Sequence, residues 1–221
     1  MLDYYRRVYE KWYGRFSLIY DFFVKAFCFF INGGFGGERR WRELIVEWIY
    51  PQPGEKILDI CCGTGTLTVM IAKRLRGIGE VVGIEFSPAQ LRIARKKEKL
   101  EGLYFLEGDA QNIPVSDCYF DKGVICGALH EMPQEVRKNV LSEAHRAVKP
   151  GGRIVNVEQN KPDRKWKALF FDFLERFNPE YTTYKNMLKC GQTNEIKQAG
   201  FRIIRTNTTC WEFMQIVLAE K

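Results

Sequence analysis

The chain has only two histidines, His130 and His145, and no C-x-x-C pair among its seven cysteines. Zinc sites are built from clustered histidines and cysteines at ligand spacing, so no metal site is expected. An odd cysteine count, with Cys61 and Cys62 adjacent, does not read as a disulfide framework. A reduced, cytoplasmic setting is the expectation. No signal peptide is expected either: the chain opens MLDYYRR, with no clean apolar core behind it. The most apolar run, residues 16–31, is short for a span and carries Asp21 and Lys25. There is no internal repeat and no low-complexity tail.

What is present fits a globular chain. Apolar residues make up 46% of the 221 and charged residues 28%, enough to bury one sizeable core. Net charge is +7, which suits an anionic neighbour or simply solvated basic helix faces. The basic residues are spread out and no RNA-binding module is evident, so nucleic acid is not the expected partner.

Residues 2–31 are dense in aromatics, with Arg6, Arg7, Lys11, Arg15 and Lys25 interleaved. They read as a helical arm that packs on the rest, covers a hydrophobic substrate or touches a membrane surface. Asn32 to Gly37 (NGGFGG) is a candidate hinge. The expected organisation is therefore an arm over 1–37 and one domain over 38–221. Within that domain, Trp41, Leu44, Ile45, Trp48 and Ile49 mark a helix stopped by Pro51 and Pro53. Strands are expected at 56–61, 81–85, 103–106, 121–127 and 153–158, with helices over 67–75, 87–100 and 133–148 between them. Ser87, Pro88 and Gln90 carry the cap, first-position proline and capping-box signals. Trp166, Leu169, Phe170, Phe173, Leu174 and Phe177 recur at helical spacing within 163–177, residues 178–190 read as a loop, and a short helix follows at 195–199. Closing strands at 201–205 and 213–219 are near enough to form an antiparallel hairpin. Strands alternating with helices mean a doubly wound α/β fold, mainly parallel, covered on both faces.

In such sheets ligands sit beyond the carboxyl ends of the strands. That edge collects Gly63-Thr64-Gly65, Glu85, Asp109, the Cys126 to His130 segment and Glu158. A strand feeding a glycine turn and then a helix brings backbone N–H groups and a positive helix end to one spot. Glu85 lies about 20 residues past the turn, where an acid reaches a ribose hydroxyl pair. Asp59 is a carboxylate inside an apolar strand, costly unless partnered. It either accepts bonds that order the turn or faces a cationic ligand. Thr68 stands where a dinucleotide turn has its third glycine. The expected ligand is thus a nucleoside carrying a cation rather than a dinucleotide.

ILDICCGTGT, VVGIE, GDAQNIP, FDKGVICGALHE and VKPGGRIVNVE resemble class I S-adenosylmethionine-dependent methyltransferases, over about residues 38–220. The likeness is closest to the quinone-biosynthesis C-methyltransferases and their phospholipid N-methyltransferase relatives. It implies a seven-stranded sheet and S-adenosylmethionine as cofactor. It implies that Gly63 and Gly65, with Cys61 and Thr64 in the same turn, line the methionine end, and that Asp59 orients the amino group. Glu85 would hold the ribose and Phe86 flank the adenine. Asp109 and the Ala110 N–H would meet the adenine edge, Cys126 would pass beside the sulfonium, and Tyr20 would close from the arm. One departure is Cys61, where most of the superfamily has glycine.

Methyl transfer is an in-line displacement, for which the protein mainly positions the two partners. His130 is the candidate base if the acceptor starts protonated, or else an orienting group, with Glu131 behind it. His145 reads as structural or solvent-facing. The acceptor expected is lipophilic, a prenylated quinol or phospholipid head group met at an anionic bilayer. A small soluble acceptor, a nucleic-acid-modifying role and a nicotinamide-dependent dehydrogenase are the alternatives.

Overall fold

The computed structural model describes residues 37–97, 99–176 and 180–221. The N-terminal arm, Tyr20 and most of the glycine-rich hinge lie outside the described residues, as does Phe177. The chain divides into two compact units, one ending at Ala110 and one beginning at Gln111.

The first unit opens with α1 (Gly37–Ile49), whose buried stripe is Ile45, Val46, Trp48 and Ile49. Glu38 and Arg42 pair at 2.8 Å one turn apart. Strand β1 (Lys56–Ile60) follows, then α2 (Thr66–Leu75), β2 (Glu80–Glu85), α3 (Pro88–Arg95) and β3 (Leu103–Glu107). The sheet order in this unit is β3-β2-β1, all parallel, with Ile57 opposite Val81 and Val81 opposite Leu103. Strands β1 and β2 are buried almost throughout, as parallel strands covered on both faces must be. In β3 only Leu103 and Phe105 are buried while Tyr104 and Leu106 are exposed, the alternation of a half-covered edge strand.

The second unit holds β4 (Phe120–Cys126), a 3-10 turn (Leu129–Glu131), α4 (Gln134–Ala147), β5 (Val148–Gln159), α5 (Lys165–Glu175), α6 (Tyr181–Cys190), α7 (Gln192–Gln198), β6 (Arg202–Thr209) and β7 (Met214–Glu220). Its strands run in the order β4-β5-β7-β6. The first pair is parallel and the last two strands are antiparallel, so the expected C-terminal hairpin is present. With three strands in one unit and four in the other, the architecture is the seven-stranded, mainly parallel α/β class.

Several elements differ from the sequence reading. The Lys149-Pro150-Gly151-Gly152 stretch lies within the bounds of β5 rather than before it. The register jumps there: Phe120 faces Val148 but Lys122 faces Arg153, with Gly151 at φ 74°. The stretch read as a loop over 178–190 contains helix α6, which buries Tyr184 and Met187. Helix α3 ends at Arg95, short of Leu100.

Arg137 is fully buried in this unit. Its guanidinium donates to both oxygens of Glu195, to Asn186 Oδ1 at 2.8 Å and to the Met132 carbonyl at 2.7 Å. This joins α4, α6 and α7 through one paired charge. Helix α5 shows the opposite behaviour. Phe171 is its only buried side chain, stacked on Phe213 with centroids 4.1 Å apart. The stripe Trp166, Leu169, Phe170, Phe173 and Leu174 faces outward, Leu169 being 71% exposed.

Candidate functional site

The first unit carries the glycine turn at the end of β1. Cys61 adopts φ 59°, a left-handed conformation that costs a residue with a Cβ about 1–2 kcal/mol. This explains why glycine suits that position. Gly63 and Gly65 follow at φ 58° and 73°. A Cβ on Gly65 would lie 2.5 Å from the Phe105 ring, so no larger residue fits. Gly65 caps α2 without a side-chain hydrogen bond, leaving the first N–H groups of that helix to a ligand or solvent.

Glu85, almost fully buried at the end of β2, shapes the same turn. Oε2 accepts from the Gly63 N–H at 2.9 Å and Oε1 from the Ser87 N–H at 2.7 Å. Each oxygen has a second lone pair, so the carboxylate can also accept from hydroxyls. Ser87 is the N-cap of α3, with Pro88 in its first turn, as the sequence indicated. The reciprocal bond expected of Gln90 is replaced, because the Ser87 N–H goes to Glu85. Lys97, two residues past the end of α3, reaches the Thr64 carbonyl at 2.7 Å and Thr66 Oγ1 at 3.0 Å.

Asp59 is 2% exposed and accepts from Thr68 Oγ1 at 2.7 Å. Thr68, noted in the sequence only as a missing glycine, is thus the donor that makes the buried acid tolerable. Burial dominates and pushes the carboxyl up to about pKa 7, with the Thr68 bond and Arg42 opposing and the Glu85 charge reinforcing. Burial also raises the Cys62 thiol well above its ordinary value, and Asp59 and Glu85 add to that. A thiol held protonated is a poor nucleophile and metal ligand, so Cys62 serves packing. Phe86 is half-buried, Asp109 is exposed and Ala110 is buried at the end of this unit.

In the second unit Cys126 ends β4, half-buried. The chain then enters the 3-10 turn holding His130 and Glu131, both buried. Glu158, near the end of β5 and inaccessible to solvent, accepts from the N–H groups of Ala128 at 2.7 Å and Leu129 at 2.6 Å. Its other oxygen lies 2.8 Å from His130 Nδ1. Burial alone would lower the His130 pKa. The charge and hydrogen bond of Glu158, with Glu131 and Glu180, outweigh it and lift the imidazole to about 9. Glu180, the N-cap residue of α6, lies beside this turn: single ligand atoms of His130, Glu131 and Glu180 fall within 4.8 Å of one another. His145 is elsewhere, edge-on to Phe201 at 5.0 Å and packed against Gly200.

The donor set of the first unit fits a nucleoside that carries a free amino acid group. It offers a buried carboxylate for an ammonium group, a second with lone pairs for hydroxyls, and an uncapped helix N-terminus for a carboxylate. The glycine turn, Asp59, Glu85 and the His130 segment were legible in sequence. Thr68, Lys97, Glu180 and the many bonds of Glu158 were not.

The methyltransferase domain family matches residues 57–152. A demethylmenaquinone methyltransferase of Lactiplantibacillus plantarum is 34% identical over 133 residues, 58% of this chain and 55% of that protein. The chain thus spans little more than half the length of that relative. A Synechocystis protein described as a methyltransferase is 31% identical over 186 residues, covering 83% of this chain and 84% of its own length. A solved S-adenosylmethionine-dependent methyltransferase from Aquifex aeolicus shares the fold, with TM-score 0.62, 19% identity and coverage of 81% and 88%. No helix among the described residues is long and apolar enough to cross a membrane. The chain belongs to the class I S-adenosylmethionine-dependent methyltransferases.

Proposed function

We propose that the protein methylates a lipophilic acceptor, a prenylated quinol or a phospholipid head group, at a membrane surface. The observation that carries this reading is the outward apolar stripe of α5. Trp166, Leu169, Phe170, Phe173 and Leu174 are all exposed on one helix face. Lys161, Arg164 and Lys165 lie at its N-terminal end. A face of that kind settles into the headgroup boundary of an anionic bilayer, where such acceptors reside. The match to a demethylmenaquinone methyltransferase supports the same acceptor class.

When bound, the cofactor supplies an activated methyl group on a sulfonium. In this reading the α2 N-terminus and the Gly63-Gly65 turn receive its carboxylate, and Asp59 its ammonium. Glu85 holds the ribose hydroxyls, Phe86 the adenine face, and Asp109 and Ala110 the adenine edge. The family resemblance would put Cys126 beside the sulfonium and Tyr20 over the cofactor, and Tyr20 lies outside the described residues. The rate gain comes from orientation rather than from a strong acid or base. His130 is assigned to the acceptor, held in one orientation by Glu158.

Cosedimentation of the full chain with vesicles tests the membrane part. The wild type is expected to pellet with phosphatidylglycerol vesicles, and the Leu169→Asp, Phe173→Asp double variant to stay in the supernatant. Equal pelleting of both proteins contradicts the role of α5.

A further inference from the structure

The turn after β4 and the start of α6 bring together a nitrogen and two carboxylates that are far apart in sequence. We propose that His130 Nε2, Glu131 and Glu180 bind a divalent first-row metal ion, of the Mn²⁺ to Zn²⁺ class.

The geometry supports a built site rather than a loose acidic cluster. His130 and Glu131 are 9% and 5% exposed. His130 donates through Nδ1 to Glu158 Oε2 at 2.8 Å, so the opposite nitrogen, Nε2, points to the carboxylates. Among the described residues Nε2 makes no hydrogen bond; the Glu131 oxygen beside it is 3.9 Å away, beyond hydrogen-bond reach but suited to a shared ion. A histidine whose second ring nitrogen is fixed by a carboxylate is the usual arrangement of a metal ligand. Glu158 is itself fixed by two backbone N–H groups, so the ring orientation is set from the sheet outward. Glu180 arrives by a separate element, as the N-cap residue of α6, whose first turn is tied to it through the Tyr184 N–H at 2.9 Å.

Metal–ligand bonds of about 2.0–2.2 Å require each of three atoms within 4.8 Å of one another to move inward by about 0.7 Å at most. One imidazole with two carboxylates suits Mn²⁺ or Zn²⁺ better than Cu(I), which wants sulfur, or Ca²⁺, which wants more oxygens. Three protein ligands leave positions open, and an acceptor oxygen would take one and be polarised there. That last step rests on the acceptor reading above; the ion site does not.

Equilibrium dialysis of the chelator-treated full chain against Mn²⁺, read by the electron paramagnetic resonance of free Mn²⁺, tests the site. Mn²⁺ is the cleaner probe because the cysteines can capture Zn²⁺ as thiolates. One ion per chain is expected, weakened at least tenfold by Glu180→Gln and by Glu131→Gln. The Asp117→Asn variant, an exposed carboxylate elsewhere in the same unit, is expected to bind as the wild type does. Absence of stoichiometric Mn²⁺ binding, or equal binding by the Glu180 variant, overturns the proposal. Affinity for S-adenosylhomocysteine, measured alongside, reports on the methyltransferase reading independently.

Discussion

Glu158 and His130, 28 residues apart, meet at 2.8 Å through Oε2 and Nδ1. The same carboxylate holds the N–H groups of Ala128 and Leu129, so one buried side chain fixes the whole segment after β4. Replacing Glu158 by Gln puts an amide N–H where one of these acceptors stood. Unfolding in urea is expected to show a loss of about 1–3 kcal/mol, the cost of an unsatisfied buried polar group. Wild-type stability in the variant would show that the segment is held by packing alone.

Asp59 gives the protein a pH dependence of definite sign. Its folded pKa is about 7, against about 4 for an ordinary carboxylate. The folded chain therefore binds the proton more tightly than the unfolded chain. The stabilisation is full below about pH 4 and is lost as pH rises through about 7. Wild-type stability measured against Asp59→Asn is expected to fall between about pH 4 and 7 and to level off above that. Affinity for S-adenosylhomocysteine runs the other way, because its ammonium group favours the ionised carboxylate. Calorimetry is expected to show tighter binding at pH 8 than at pH 6, with proton release near pH 7. Binding that is flat with pH would remove Asp59 from the ammonium contact.

Cys61 carries a left-handed backbone without being glycine. Cys61→Gly removes a Cβ penalty of about 1–2 kcal/mol, partly offset by the larger entropy of a glycine in the unfolded chain. A net gain of about 0.5–1 kcal/mol is expected by thermal unfolding, with cofactor affinity unchanged. A loss of stability would mean that the Cys61 side chain contributes more than its backbone costs.

These residues also show what a sequence carries and what it does not. The alternation of strands and helices, the Gly63-Gly65 turn and the Ser87 cap are local patterns, written in neighbouring residues, and they appear where the sequence put them. The Arg137–Glu195 pair joins positions 58 residues apart, and a buried arginine has no local signature. Helix α6 has only Tyr184 and Met187 on its buried side, too few for a clear period among Thr, Lys and Asn. For α5 the period was plain but its direction was not. An apolar stripe of period 3.6 reads the same whether it faces a core or a bilayer. The side-chain bonds of Thr68 and Lys97 depend on how α2 and α3 pack, which a turn motif does not encode.

The acceptor is the centre of the account, and methyl transfer to it is the most direct measurement. The full chain is incubated with methyl-labelled S-adenosylmethionine and a prenylated naphthoquinol in phosphatidylglycerol vesicles, and the label in the organic extract is counted. Label is expected in the extracted quinol, reduced several-fold when Leu169 and Phe173 are both changed to Asp. Label that moves only to a water-soluble acceptor, with none in the extract, would contradict it.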